Sequence, residues 1–331
     1  MKKNGKLVIS LDFELLWGMR DKRTISSYGG NILGARTSVL KILQLFNEFG
    51  VSATFATVGF LFAETKHELL KYSPQSKPKY DDKNLSPYFN HIDQIVGDNE
   101  DRDKYHFASN LINEIKKYPN QEIASHTFCH YYCLETGQDI TDFKQDLSSA
   151  INIANKKSVN LESLVFPRNQ YNKEFLEVCK ELGITSYRGN EKVWFNSAQS
   201  GQDETIFKRV FRLLDSYVNI SGHHSYSILD IERSIPYNIP SSRFLRAYTP
   251  KLKFFETLKL SRILKSMTYA AKNDEIYHLW WHPHNFGSYQ ENNFNFLKKI
   301  LQHYQMLNSK YGFSSATMKG IASEVKLKDN A

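Results

Sequence analysis

Long apolar runs, paired cysteines and phosphate-cradling glycine loops are all missing from this chain of 331 residues. No stretch approaches the roughly 20 apolar residues that a transmembrane helix needs. The opening "MKKNGKLVISLDFELLWG" passes from two lysines straight into strand-like alternation, without the apolar core or small-residue cleavage site of a secretory signal. Three cysteines, Cys129, Cys133 and Cys179, are an odd number that suits no disulfide framework. A reducing compartment, the cytoplasm, is therefore expected. RNP-type, zinc-finger and GxxxxGK[ST] patterns are absent, so no nucleic-acid partner is expected. What is present is 41% hydrophobic and 14% aromatic composition with a formal charge of +8. That excess draws the protein toward anions.

Three phrases share one grammar: "LFNEFGVSATF" around Gly50, "VCKELGITSYR" around Gly183 and "LNSKYGFSSAT" around Gly312. In each, an amphipathic stretch ends at a glycine able to take the left-handed conformation, and a β-rich run follows. Further strands are expected at 6–13, 121–125, 161–166 and 276–281. Helices are expected near 35–49, 104–117, 139–156, 172–182 and 288–309. This alternation implies an α/β fold: a distorted (β/α) barrel of about seven mainly parallel strands in a single domain spanning 1–331. No glycine-rich dinucleotide loop supports an open doubly wound sheet instead. Two segments break the pattern. Residues 73–103 read as an insertion, a lid or substrate wall, and residues 189–250 have no assignable topology.

In "LVISLDFELLWG" the period of two puts Val8, Ser10, Asp12 and Glu14 on one face, with both carboxylates at the C-terminal end of the first strand. That is the active-site rim of a parallel barrel. Such neighbouring charges repel unless a cation joins them or the strand has already emerged into solvent. In "SHTFCH", His126 and His130 stand four apart after a strand ending on the same rim, within reach of one metal. Cys129 and Cys133 offer a competing CxxxC pair, although Cys129 points away from the face that the histidines share.

These motifs resemble those of the NodB-type polysaccharide deacetylases, carbohydrate esterase family 4, and in particular cytoplasmic members from surface-polysaccharide biosynthesis. "SLDFE" is similar to that family's first motif and "SHTFCH" to its second. "LVFPRNQYN" is similar to the third, with the usual Arg-before-Pro order reversed, and "YHLWWHPHNFG" to the last. The resemblance implies Asp12 as catalytic base and Glu14, His126 and His130 as ligands of a divalent metal. Zn2+ is the first expectation, with Co2+, Mn2+, Ni2+ or Fe2+ as alternatives. It also casts Arg168 as the residue orienting Asp12 or binding a substrate anion, and His282 as general acid. The fourth motif's aspartate is missing from "SYRGNEKVWFN", which supplies Arg188 and Trp194, leaving Asp215 as a candidate to tune His282.

The implied reaction is hydrolysis of an N-acetyl group on an acetamido sugar, nucleotide- or polyprenyl-diphosphate-linked if the enzyme is cytoplasmic. A non-catalytic carbohydrate-binding relative, or a hydrolase of another amide such as a formamido sugar, are the alternatives. Trp17, Tyr131, Tyr171, Trp194 and Trp281 could stack on sugar or fill the core. His284 and the pair His223 and His224 could be structural. The basic stretch 251–272 could rest on an anionic membrane surface.

Overall fold

A computed structural model of the chain describes residues 5–191, 193 and 205–329. Trp194 lies outside the described residues. Nine strands form one sheet in which every pairing is parallel. At its centre β1 (Lys6–Phe13) pairs with β2 (Ala53–Thr57) on one side and β8 (Ile276–Trp281) on the other. From β2 the sheet continues through β3 (Gln121–Ser125), β4 (Ser163–Leu164), β5 (Ser186–Tyr187) and β6 (Tyr237–Asn238). Beyond β8 comes β7 (Arg243–Phe244), and β9 (Ser314–Ala316) pairs with the start of β1.

β6 and β7 are consecutive in sequence yet stand at opposite ends of this order. Residues 239–242 therefore carry the chain from one edge of the sheet round to the other. Ser241 N–H donates to Gly189 O and Ser242 N–H to His278 O along the way. The result is a parallel sheet curled into a distorted (β/α) barrel. The seven or so strands expected are present; β6 and β7 join them, with two residues each, too few to show a period of two.

Ten α-helices accompany the strands among the described residues. They are α1 (Ile25–Phe49), α2 (Lys66–Tyr72), α3 (His91–Gln94), α4 (Ser109–Lys116), α5 (Ile140–Lys156), α6 (Lys173–Glu181), α7 (Ile206–Asp215), α8 (Glu256–Asn273), α9 (Gln290–Tyr311) and α10 (Met318–Asp329). The three punctuating glycines take φ of 64° (Gly50), 84° (Gly183) and 68° (Gly312), the left-handed stops that the repeated phrase predicts. α1 begins ten residues ahead of expectation because Thr24 caps it, its hydroxyl accepting from Ser27 N–H.

One hydrophobic cluster runs from Leu7 to Phe313, with Leu7, Ile9, Leu11 and Phe13 of β1 at its centre. The opposite face of β1 turns Ser10 and Asp12 inward, followed by Glu14, all buried. The alternation read from the sequence is thus a division between an apolar layer and a polar barrel interior. Residues 73–103 contribute a 3-10 turn (Lys83–Leu85) and α3. Tyr80 and Leu85 bury against Tyr132, and Tyr132 N–H donates to the Tyr80 hydroxyl at 2.8 Å. The insertion thereby braces the loop that carries His130.

Candidate metal centre and active site

β3 ends at Ser125, and the following "HTFCH" forms a loop rather than a helical turn. Thr127 and His130 adopt φ of 61° and 62°. The Thr127 hydroxyl accepts from Tyr131 N–H at 2.7 Å, while the buried Asp146 carboxylate on α5 accepts from Phe128 and Cys129 N–H at 2.7 and 3.1 Å. With these three bonds fixing its shape, the loop brings the His126 and His130 ring centroids to 5.0 Å. Burial pushes the Asp146 carboxyl up to about 6, opposed by its bonds to Cys129 and Phe128.

Glu14 reaches into the same space. Its Oε2 lies 3.1 Å from His130 Nε2 and 3.4 Å from His126 Nε2, and the three residues form a buried group able to bind a metal ion. Their fit to a cation can be judged from protons. His126 Nδ1–H donates to Val165 O at 2.7 Å, so in the neutral imidazole the lone pair lies on Nε2. That Nε2 is buried without a hydrogen-bond partner and faces a carboxylate oxygen. Two electron-rich atoms held so close, away from water, fit a shared cation. Gly18 closes the back of the site, since a Cβ there would stand 2.0 Å from Glu14 Cδ.

Burial tends to raise the Glu14 carboxyl, but His282, His126 and His130 outweigh it and hold it well below the ordinary glutamate value. Burial also drops His130 to about 4, so its imidazole is neutral at neutral pH. Cys129 and Cys133 are buried and free, and burial pushes both thiols well up, leaving them outside the Glu14, His126 and His130 group.

Beside this group, Asp12 is gripped by Arg188 rather than by Arg168. Arg188 Nη1 donates to Oδ1 at 2.6 Å and Nη2 to Oδ2 at 2.8 Å. The guanidinium also donates to Ser10 Oγ and Asn169 Oδ1, and lies 4.0 Å above the Trp280 ring. Ser10 Oγ in turn meets His278 Nε2 at 2.8 Å. Burial raises the Asp12 carboxyl, but Arg188, with His126 and His282, reverses the balance and keeps it below the usual aspartate value.

Arg168 is turned away from Asp12. It donates to Glu135 Oε1 at 2.9 Å, pairs with Asp21 and lies 4.0 Å over the Tyr132 ring. The expectation that it orients Asp12 is corrected: its charge is already taken by two carboxylates of the rim. The motif resemblance assigns the orienting role to Arg168 and does not single out Arg188. Its signal was positional, an arginine immediately after a short strand that ends on the Asp12 rim.

His282 Nε2 lies 3.6 Å from Asp12 Oδ2 and 3.8 Å from Glu14 Oε1. Its side chain is 24% exposed, whereas those of Asp12, Glu14, His126 and His130 are at most 5% exposed. Asp215 does not tune it. That carboxylate pairs with Arg243 at 2.9 Å and accepts from Ile220 and Ser221 N–H, while the side chain near His282 Nδ1 is Asn285. His284 stacks on His282 with centroids 5.0 Å apart, its Nδ1 3.7 Å from Glu14 Oε1. His223 stacks on Tyr269 and His224 bonds Ser221, both away from this centre. Trp17, Tyr131 and Trp281 are core residues, and Tyr171 packs against Phe166 and Tyr187.

Residues 30–187, just under half of the chain, match the family model of polysaccharide deacetylases. That segment is a polysaccharide deacetylase domain. The matched segment contains the two histidines of the metal group, and the curl of the sheet adds the β1 carboxylates and His282 from outside it. The fold agrees across nearly the whole chain with a proposed polysaccharide deacetylase from Mycobacterium smegmatis. That pair has 13% identity and a TM-score of 0.60, covering 98% of this chain and 92% of the other. A proposed polysaccharide deacetylase from Pseudomonas aeruginosa PAO1 has 12% identity and a TM-score of 0.54, covering 96% and 89%. PuuE allantoinase has 11% identity and a TM-score of 0.56, covering 98% and 91%. No curated protein matches this chain in sequence. The domain supports carbohydrate deacetylase activity.

Proposed function

We propose that the protein is a metal-dependent carbohydrate N-deacetylase. It removes the N-acetyl group of an acetamido sugar during surface glycan biosynthesis in the cytoplasm, on a nucleotide- or polyprenyl-diphosphate-linked substrate. The observation that carries the reading is the convergence of Glu14, His126 and His130 beside an ionised Asp12 and a partly exposed His282.

A divalent metal, Zn2+ in the first instance, held by Glu14, His126 and His130 would polarise the amide carbonyl and make water nucleophilic near neutral pH. Asp12 accepts the proton of the attacking water as the C–O bond forms. Arg188, bonded to both of its oxygens, keeps that carboxylate ionised and fixed in place. His282, on the open side, gives its proton to the sugar nitrogen as the C–N bond breaks, because an amine anion is too poor a leaving group. Acetate and the free amino sugar result. The two proton carriers stand 3.6 Å apart, so the proton taken by Asp12 can return to His282 between turnovers.

The test is metal analysis of purified protein together with acetate release from a panel of acetamido sugars. About one divalent ion per chain, and acetate release abolished by chelation, are expected. Formate release from formamido sugars with no acetate release would replace the substrate, and activity unchanged by chelation would sink the mechanism.

A further inference from the structure

Among the described residues, α7 is an amphipathic helix whose one buried residue is its last, Asp215. Its apolar side chains lie on the outside: Ile206 is 76% and Phe207 75% exposed, and Val210 and Leu214 are exposed too. A helix that merely packed on the barrel would turn these residues inward. The patch continues past the helix. Tyr217 meets Phe255 edge to face at 5.9 Å, which joins the end of α7 to the turn Pro250–Phe255. There Phe254 is 82% exposed, and Phe255 and Leu258 are also open.

Cations border these apolar groups. Arg209, Lys251 and Lys253 are exposed and form no ion pair among the described residues. The one acid of α7, Asp215, is turned inward to Arg243 and Arg262, and Glu256 is tied to Lys259. Outward-facing phenylalanines ringed by uncompensated cations are the chemistry of an interfacial membrane surface: rings enter the acyl boundary and cations meet anionic headgroups. A second copy of the chain is disfavoured as the occupant, because a two-fold interface would set these cations against each other. We propose that α7, the Pro250–Phe255 turn and the first turn of α8 together dock the protein on an anionic lipid bilayer. This narrows the contact expected of the basic stretch 251–272 to its first residues and adds α7, since Lys259 and Arg262 are buried. It does not depend on the catalytic reading.

The test is flotation with vesicles of phosphatidylcholine with or without phosphatidylglycerol, on the full chain at low and high salt. Wild type should float with the anionic vesicles only, and high salt should release it. Two variants, the triple Arg209→Glu with Lys251→Glu and Lys253→Glu and the double Phe207→Ser with Phe254→Ser, should each weaken partition at least ~tenfold. Acetate release from a water-soluble acetamido sugar should be unchanged, which separates this inference from the activity. No flotation of wild type at low salt, equal flotation of both variants and wild type, or a dimer dissolved by the phenylalanine changes without vesicle binding would each overturn it.

Discussion

Asp12 serves as a base only while ionised, and its buried position works against that. The two-point grip of Arg188 settles the conflict in favour of the carboxylate. A base whose pKa lies below the ordinary value keeps its function down to lower pH. Arg188→Gln should therefore raise the pKa and move the acid limb of kcat/KM up by about 1–3 pH units, with a large fall in rate. It should also cost ~3–5 kcal/mol of stability by leaving a buried charge unpaired. Arg168→Gln should leave the acid limb in place, and pH profiles of the two variants measured side by side check the assignment. Gly18 offers a test at a single carbon. In Gly18→Ala the new methyl would displace the buried Glu14 carboxylate from its histidine partners, so chain stability should fall by about 1–3 kcal/mol. Metal affinity, measured by competition with a chromophoric chelator, should drop ~10–100-fold. Unaltered affinity would show that Glu14 is not a ligand.

The loop after β3 is the element on which the site turns. Asp146 holds it from the side of α5, through two N–H groups that have no other partner within the loop. Asp146→Ala should strand both donors and destabilise the fold by about 2–6 kcal/mol, roughly one to three per buried group. Thermal unfolding would register the loss, together with weaker metal binding as the His126 and His130 rings part. The sequence marked this loop because strand, spacing and histidines coincide within ten residues. Asp146 was invisible there, since nothing in "DLSSA" tells a carboxylate that caps a distant loop from one on a solvated helix face. The same limit hid the Arg188–Asp12 pair, whose members are 176 positions apart. Strands β1, β3 and β8 were legible to the residue because each carries five or more residues of β-rich pattern. The short β4 was overestimated because only Ser163 and Leu164 find ladder partners.

In the whole molecule, the β6–β7 crossing turns a row of parallel strands into a site. Without it, the rim holding Asp12, His126 and Arg188 would lie open along one face. With it, Ser242 and Pro240 support His278, which steadies Ser10 and through it Arg188. That closure could not be read from the sequence, because it depends on two pairs of residues inside a segment without periodicity. The β1 carboxylates, the paired histidines and His282 were all named from pattern and resemblance. Their meeting in one buried centre is a property of the curled sheet. The most direct test of the account is acetate release by wild-type and Asp12→Asn protein matched for metal content. The account predicts a fall of ~10²–10⁴-fold in the variant with metal retained. Equal rates in the two proteins would contradict it.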